Sequence, residues 1–475
     1  MNRKHEERPV LQQARYRLSD ARVGVVHVGV GAFHRAHQAM YFDRLMDETG
    51  DLRWAIAGVN LRAQDSAQLR RMQENQGRYV LKTLAPEGTV GYRLIQVHKA
   101  FYDWAHARDD AEAIIANRDV KILTITVTES GYYTDHNNQL NFSDPVIQSE
   151  ITGGAPVSIY GYLYGALKRR AQANAGPIMI LCCDNFRANG LRLQENLCSY
   201  VRAKKDESLL AWLTDHASFP CSMVDRITPR TTDALGQETQ ELFGEPFAVQ
   251  CETFTQWVLE DRFAIASPPE LEKVGVEITD DVHPFEEAKI RLLNGGHLAL
   301  AYFGALRGYE TYDQALADPE LEAFLDCYKQ TEARPAIDSG SPVDLVAYDQ
   351  AIKKRFANVA LADRNERIAM DGFSKISIFI KPTIESCLAM AIYPEYAIRI
   401  IASWYIFLRR VTAGQIDFDY HDPQLDRVIP YLATGREKDF ATWAFLWGSL
   451  PARYPSFVDG LTDAIAQVDQ QYPSR

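Results

Sequence analysis

Arg22-Val-Gly-Val-Val-His-Val28, running into Gly29-Val30-Gly31-Ala32-Phe33-His34-Arg35-Ala-His37-Gln38, is the stretch on which the fold turns. The first seven residues form a β-branched apolar run, the pattern of a buried strand. Two glycines then mark a tight turn. From Gln38 to Met46, apolar Ala39, Phe42, Leu45 and Met46 recur at helical spacing. A strand, a G-x-G turn and a helix set backbone N–H groups and a helix start against a pyrophosphate. The third glycine of the usual fingerprint would stand where this chain has His34. By themselves the glycines therefore suit an ordinary strand-to-helix turn about as well as a cofactor loop. His34 and His37 could share a metal by spacing, but no third ligand lies nearby in the sequence.

Outward from this stretch, Trp54–Val59, Lys121–Val127 and Pro177–Cys183 are further short apolar runs with helical segments between them. That alternation predicts an α/β fold, a Rossmann-like doubly wound and mainly parallel sheet. Tyr79–Leu84 and Tyr92–Val97 flank Pro86-Glu-Gly88 and read as an inserted β-hairpin. From Pro284 onward, long amphipathic stretches dominate: Phe285–Leu306, Leu321–Lys329, Val343–Arg355, Pro382–Ala391, Pro394–Val411 and Thr442–Trp447. The expected organisation is a Rossmann-like domain over residues 1–283 and a mostly α-helical second domain over 284–475.

Composition narrows the classes. The 475 residues carry 51 basic and 63 acidic side chains, a net charge of −12, which argues against a phosphate-backbone partner. Seven cysteines with no C-x-x-C pair, and no H-E-x-x-H, argue against a disulfide scaffold or a zinc site. The charged start, Met1 to Pro9, lacks the apolar core of a signal peptide. Ile400–Leu408 is bracketed by Arg399 and Arg409 and is far short of the ~20 apolar residues of a membrane span. A reducing, cytoplasmic setting is expected, with no membrane partner.

The ends of the apolar runs carry the polar residues. Asn60 follows the second run, with Arg62 and Asp65 just beyond it. Thr128-Glu129-Ser-Gly131 follows the third run, and Asp184-Asn185 the fourth. Ligands of open parallel sheets bind at the carboxyl ends of strands, so these ends read as one shared site. Each residue alone could also be a helix cap, Asp184 or Asn185 included. In the second half stands Lys289-Ile-Arg-Leu-Leu-Asn294-Gly295-Gly296-His297. At α-helical spacing Lys289, His297 and Asn294 fall near about 0°, 80° and 140°, one broad face. A snorkelling lysine fits that pattern. Against it, two glycines inside a helix cost about 1 kcal/mol each, which suggests a close approach to the backbone. A desolvated lysine there could have its pKa lowered toward about 7–8 and act as a base.

These motifs resemble the polyol-specific long-chain dehydrogenases, the mannitol dehydrogenase family. Similar to family signatures are Lys289-x-x-x-x-Asn294-x-x-His297, the Gly29–Gln38 loop, Thr126-Val-Thr-Glu129-Ser-Gly131-Tyr132 and Met223-Val224-Asp225-Arg226-Ile-Thr-Pro229. The resemblance covers nearly the whole chain. It implies a zinc-independent oxidoreductase passing a hydride between NAD and a polyol of the D-arabinitol or D-mannitol type. Lys289 would be the general base, Asn185 and Asn294 would hold the alkoxide, His297 would orient the reacting oxygen, and Glu286 would pass the proton to water. Val224, Asp225, Arg367 and Lys375 would surround the substrate chain. Gly29, Val30, Gly31, Ala32, Phe33, His34, Arg35, Asn60, Arg62, Asp65 and Glu129 are the expected cofactor contacts. NADP remains open, because Arg62 could receive a 2′-phosphate while Asp65 could bind the ribose. The only expected partners are small molecules, with the chain as a monomer or small homo-oligomer. A uronate reductase of the same family and a non-catalytic nucleotide sensor are the competing readings.

Overall fold

The apolar runs become strands because successive side chains enter different layers. In the computed structural model, which describes residues 9–135, 138–337 and 340–473, six strands form one sheet. They are Val23–Val28, Ala55–Asn60, His98–Asp103, Ile122–Ile125, Ile178–Cys182 and Ala217–Ser218, and every neighbouring pair is parallel. Numbered along the chain, their order in space is 3-2-1-4-5-6, the doubly wound dinucleotide-binding arrangement. Val25, Ile56 and Ile122 pack on one side with Tyr41, Phe42 and Leu45. Val26, Ala57 and Leu123 pack on the other with Leu163, Ala166 and Leu197. Burial on both faces explains why these strands read as continuous apolar runs. The charged start of the chain, up to residue 8, lies outside the described residues.

The hairpin forms, with Tyr79–Leu84 antiparallel to Val90–Ile95, but it is not a lone insertion. Leu11–Gln13 adds to one edge in parallel and Ala248–Glu252 to the other, giving a four-stranded sheet. A third sheet joins Ser222–Asp225, Gln256–Glu260 and Glu277–Thr279. The edge strand His98–Asp103, His-Lys-Ala-Phe-Tyr-Asp, lacks a continuous apolar run because most of it is only half-buried.

A second compact unit begins at His283. It is helical, apart from one isolated bridge between Thr311 and Arg364 among its described residues. The expected single helix over Phe285–Leu306 is three segments: an α-helix at His283–Ala288, a π-helical stretch at Lys289–Asn294 and an α-helix at Gly295–Arg307. Two further π-helical stretches, Lys329–Ala333 and Ile376–Ile380, pack against the one that starts at Lys289. Of the expected stretch Thr442–Trp447, Ala444–Trp447 is helical, and the two residues before it separate it from the helix Glu437–Ala441. Pro394–Val411 forms an 18-residue helix, Glu395–Thr412, and Ile400–Leu408 within it is wholly buried. No helix among the described residues is long and apolar enough to cross a membrane.

That long helix begins on a buried carboxylate. Glu332, 1% exposed, accepts hydrogen bonds from the amides of Tyr396 and Ala397, both at 2.7 Å. Burial pushes its pKa up to about 7. A carboxyl raised in the folded state adds stability that is full below its unfolded pKa and is lost as pH rises through the folded value. The margin of wild type over Glu332→Gln should therefore shrink between pH 5 and pH 8 in urea denaturation. A constant or growing margin would contradict the assignment.

Candidate functional site

The first strand ends at Val28, and Gly29 turns the chain with φ of +94°. A Cβ on Gly29 would lie 1.9 Å from the carbonyl oxygen of Thr126, so only glycine fits. The Gly29 carbonyl accepts from the Thr126 hydroxyl at 2.9 Å and from Nε2 of His27, also at 2.9 Å. Burial lowers the His27 pKa to about 3, so its ring is neutral. Its Nδ1 lies 2.7 Å from the Thr124 hydroxyl. Gly31 has ordinary φ of −82°, and a Cβ there would meet nothing closer than 3.9 Å. The two glycines thus differ: the first is demanded by the strand beside it, and the second leaves room on the open side.

A cavity of about 600 Å³ lies over this turn. Of the expected cofactor contacts, Gly29, Val30, Gly31, Ala32, Arg35, Asn60, Arg62 and Asp65 line it. Phe33, His34 and Glu129 do not. Phe33 packs against the core and stacks on His37 at 5.0 Å. His34, in the place of the third glycine, is fully buried. Its ring stacks on His27 at 3.3 Å, and its Nε2 lies 2.9 Å from Nε2 of His98. Nε2 of His37 faces the Gln256 carbonyl instead, so the two histidines share no site. Among the described residues no group of three or more His, Cys, Asp or Glu is placed to hold a metal ion. Asn60 reaches the cavity, but its amide donates to the Arg62 carbonyl at 2.8 Å and to Asp103 at 3.3 Å. Arg62 and Asp65 form an ion pair at 2.8 Å. Gln68, Ser158, Arg230 and Thr231 also line the cavity; they stand at no strand end and in no glycine motif, so the sequence offered no signal for them.

Asp184 is not a helix cap. The next helix starts at Asn189, and the Asp184 carboxylate instead accepts from the amides of Val127 and Thr128 and from the Tyr132 hydroxyl. Burial, with the Glu129 charge adding to it, pushes its pKa up to about 7. Asn185 beside it is exposed. Val224 and Asp225 are buried on the strand Ser222–Asp225. Arg226 after them donates to the carbonyls of Ala36 and Glu252, tying that segment to the helix behind the glycine turn.

In the second unit, Lys289 is 7% exposed, which rules out a lysine snorkelling to solvent. Glu286 is 4% exposed, with His283 Nδ1 at 4.0 Å. The π-helical stretch changes the angular arithmetic. Its bonds run from i to i+5, so Asn294, five residues on, returns to the face of Lys289 instead of lying about 140° away. His297 follows one α-turn later. The glycine pair admits side chains of the same unit: a Cβ on Gly295 would lie 2.4 Å from the Tyr328 hydroxyl, and one on Gly296 would crowd Leu325, Lys329 and Phe356. Tyr328 also donates to the Arg291 carbonyl at 3.1 Å.

His297 is buried between Phe356 and Tyr312, with ring centroids 4.3 and 4.7 Å away. Burial and the charges of Arg367, Arg355, Lys375 and Lys329 hold its pKa well below the usual imidazole value. It is a neutral ring in a cationic setting, and its Nε2 has no hydrogen-bond partner among the described residues. Arg367 and Lys375, expected beside the substrate chain, thus belong to the charged surroundings of His297. Arg367 is held by both oxygens of Asp363, and Lys375 donates to the Ile368 carbonyl at 2.8 Å.

The family model of the mannitol dehydrogenase Rossmann domain matches residues 23–273, and that of the mannitol dehydrogenase C-terminal domain matches 281–447. The chain is 36% identical to a D-arabinitol 4-dehydrogenase of Klebsiella pneumoniae over 84% of this chain and 88% of that one. It is 35% identical to a mannitol 2-dehydrogenase of Aspergillus fumigatus over 85% and 82%. Among solved structures, the ternary complex of Pseudomonas fluorescens mannitol 2-dehydrogenase with NAD and D-mannitol superposes with a TM-score of 0.91 at 32% identity, covering 97% and 94% of the two chains.

The two glycines should respond differently to alanine. Gly29→Ala combines a left-handed backbone with a clash against a carbonyl and should lose about 3 kcal/mol or more. Gly31→Ala should stay within about 0.5 kcal/mol of wild type. Urea denaturation of both variants checks this, and equal losses would refute it.

Proposed function

The chain belongs to the mannitol dehydrogenase family, and from that premise we propose that it is an NAD-dependent dehydrogenase of polyols of the D-arabinitol or D-mannitol type, working without zinc. The observation that carries the reading is the unpartnered Nε2 of His297, one turn beyond Asn294 on the helix that buries Lys289. The cavity over Gly29–Ala32 suits a dinucleotide, because Gly31 leaves its backbone open and Arg35, Arg62 and Arg230 line the wall for an anionic ligand. The nicotinamide, when bound, supplies the hydride acceptor. Hydride leaves carbon only as negative charge grows on oxygen, so Lys289 removes the hydroxyl proton as general base. The amides of Asn294 and Asn185 donate to the developing alkoxide, the latter on the strength of the family resemblance. The neutral His297 ring orients that oxygen, and the surrounding cations favour the negative charge. Glu286, three residues before the base, passes the proton on to water. Val224, Asp225, Arg367 and Lys375 take the substrate chain.

A neutral polyol suits this site better than a uronate. A carboxylate substrate calls for a cation with free valence, and Arg367 is already engaged by both oxygens of Asp363. The sensor reading would require a missing base or oxygen-binding residue, and Lys289, Asn294 and His297 are all present in the sequence. A cytoplasmic location agrees with seven cysteines that are all free thiols.

Lys289→Ala should lower turnover by about 10²–10⁴-fold, the usual loss for a general base. NADH binding, assigned to the other unit, should persist. In wild type, polyol oxidation should rise with pH and ketose reduction should fall, since one direction needs the neutral amine and the other the protonated one. Steady-state rates in both directions decide it, and parallel pH trends would refute the base. For the cofactor, Asp65 competes with a 2′-phosphate for Arg62 through their ion pair. Asp65→Ala should shift the ratio of kcat/KM for NADP over NAD upward by about tenfold, the worth of one charged hydrogen bond. An unchanged ratio would remove Asp65 from cofactor choice.

A further inference from the structure

Thr128 has φ of +66° and ψ of 161°, a backbone region almost reserved for glycine. Strain of that kind persists only where the surroundings hold it. Here the segment on both sides of Thr128 lines the dinucleotide cavity through Thr126, Val127, Thr128, Ser130, Gly131 and Tyr133. The group that meets this segment is Asp184. Its Oδ2 accepts from the Val127 amide at 2.9 Å and from the Tyr132 hydroxyl at 2.7 Å, while its Oδ1 accepts from the Thr128 amide at 3.2 Å. The backbone of Asp184 is itself fixed, its carbonyl accepting from the Phe186 amide at 3.0 Å and from the Asn189 side chain at 3.2 Å.

We propose that Asp184 is a positioning residue: its carboxylate holds Val127–Tyr132 in the strained form that walls the cavity, and thereby sets the affinity for the dinucleotide. The inference rests on the reading of that cavity as the NAD site. A carboxylate is required because two neighbouring backbone amides point at two different oxygens. An asparagine offers one oxygen, and its NH₂ would face the other amide donor to donor. An unsatisfied amide beside a strained residue removes the reason for the strain, and the segment relaxes away from the cofactor.

The test is NADH binding to the full chain, read by fluorescence, for wild type, Asp184→Asn, Thr128→Gly and the double variant. Asp184→Asn should raise the Kd for NADH at least tenfold, with kcat at saturating NAD within threefold of wild type. Thr128→Gly adopts the same backbone without strain, so its own Kd is the reference against which the need for Asp184 is read. In the double variant it should recover at least threefold of the loss, a coupling that a merely structural role would not produce. If Asp184→Asn binds NADH as wild type does, or loses equally in both backgrounds, the proposal is wrong. A wild type that binds no NADH removes the cofactor reading, and this inference with it. Should Asp184→Asn fail to fold, hydrogen exchange in wild type decides: slowly exchanging Val127 and Thr128 amides are expected, and freely exchanging ones overturn the proposal.

Discussion

At Gly29 the chain must leave its strand in a place where a single methyl group would strike the carbonyl of Thr126. That close approach of the first and fourth strands, at the point where the strand order reverses, governs much of the cofactor-binding unit. It sets the left-handed turn, aims the Gly29 carbonyl at His27 and Thr126, and opens the backbone at Gly31. The helix that follows is short and ends at His37, and Arg226 secures its last carbonyl. The rings of His27, His34 and His98 fill the space beneath the turn, and burial keeps all three neutral. A third glycine ordinarily permits close packing between helix and strand at this point. In this chain a stacked pair of imidazoles, His27 and His34, occupies that position.

The second unit answers a different electrostatic problem. An alkoxide is a short-lived anion, and a site that stabilises it needs positive potential without a fully committed cation at the oxygen itself. The charges around His297 supply that potential from a distance, while Asp363 limits what Arg367 can offer to a permanently charged substrate. The His297 ring stays neutral because it is buried among cations, which suits the orienting role proposed for it at ordinary pH.

The parallel strands were legible because burial on both faces leaves a continuous apolar run, and four of the six announced themselves that way. His98–Asp103, half exposed, did not. The Lys289 motif was legible as a resemblance, but its geometry was not. Helical arithmetic assumes one angle per residue, and the π-helical stretch at Lys289–Asn294 breaks that assumption without changing the residue types that suggest a helix. The sequence left a cap open for Asp184 beside the shared-site reading, for a related reason. Its partners lie 56 and 57 positions away, on the end of a neighbouring strand, and only the sheet order brings them together. His34 was visible as a missing glycine, whereas its stacking partner His27 looked like any residue inside a strand.

At Thr128 a strained backbone meets the desolvated carboxylate of Asp184, and physics gives a reason. A cavity wall that must meet a flat, rigid ligand cannot relax to the nearest comfortable backbone conformation, so it has to be held from behind. Apolar packing holds side chains well but grips a backbone poorly, because it has no direction. Hydrogen bonds from amides have direction, and a carboxylate can accept several of them at once. The cost is a charge taken out of water, visible in the raised pKa of Asp184. Glu332 follows the same logic in the other unit, where two amides at a helix start converge on one buried carboxylate. In both cases the penalty of burying the group is tolerated because no uncharged side chain offers two acceptors at that spacing.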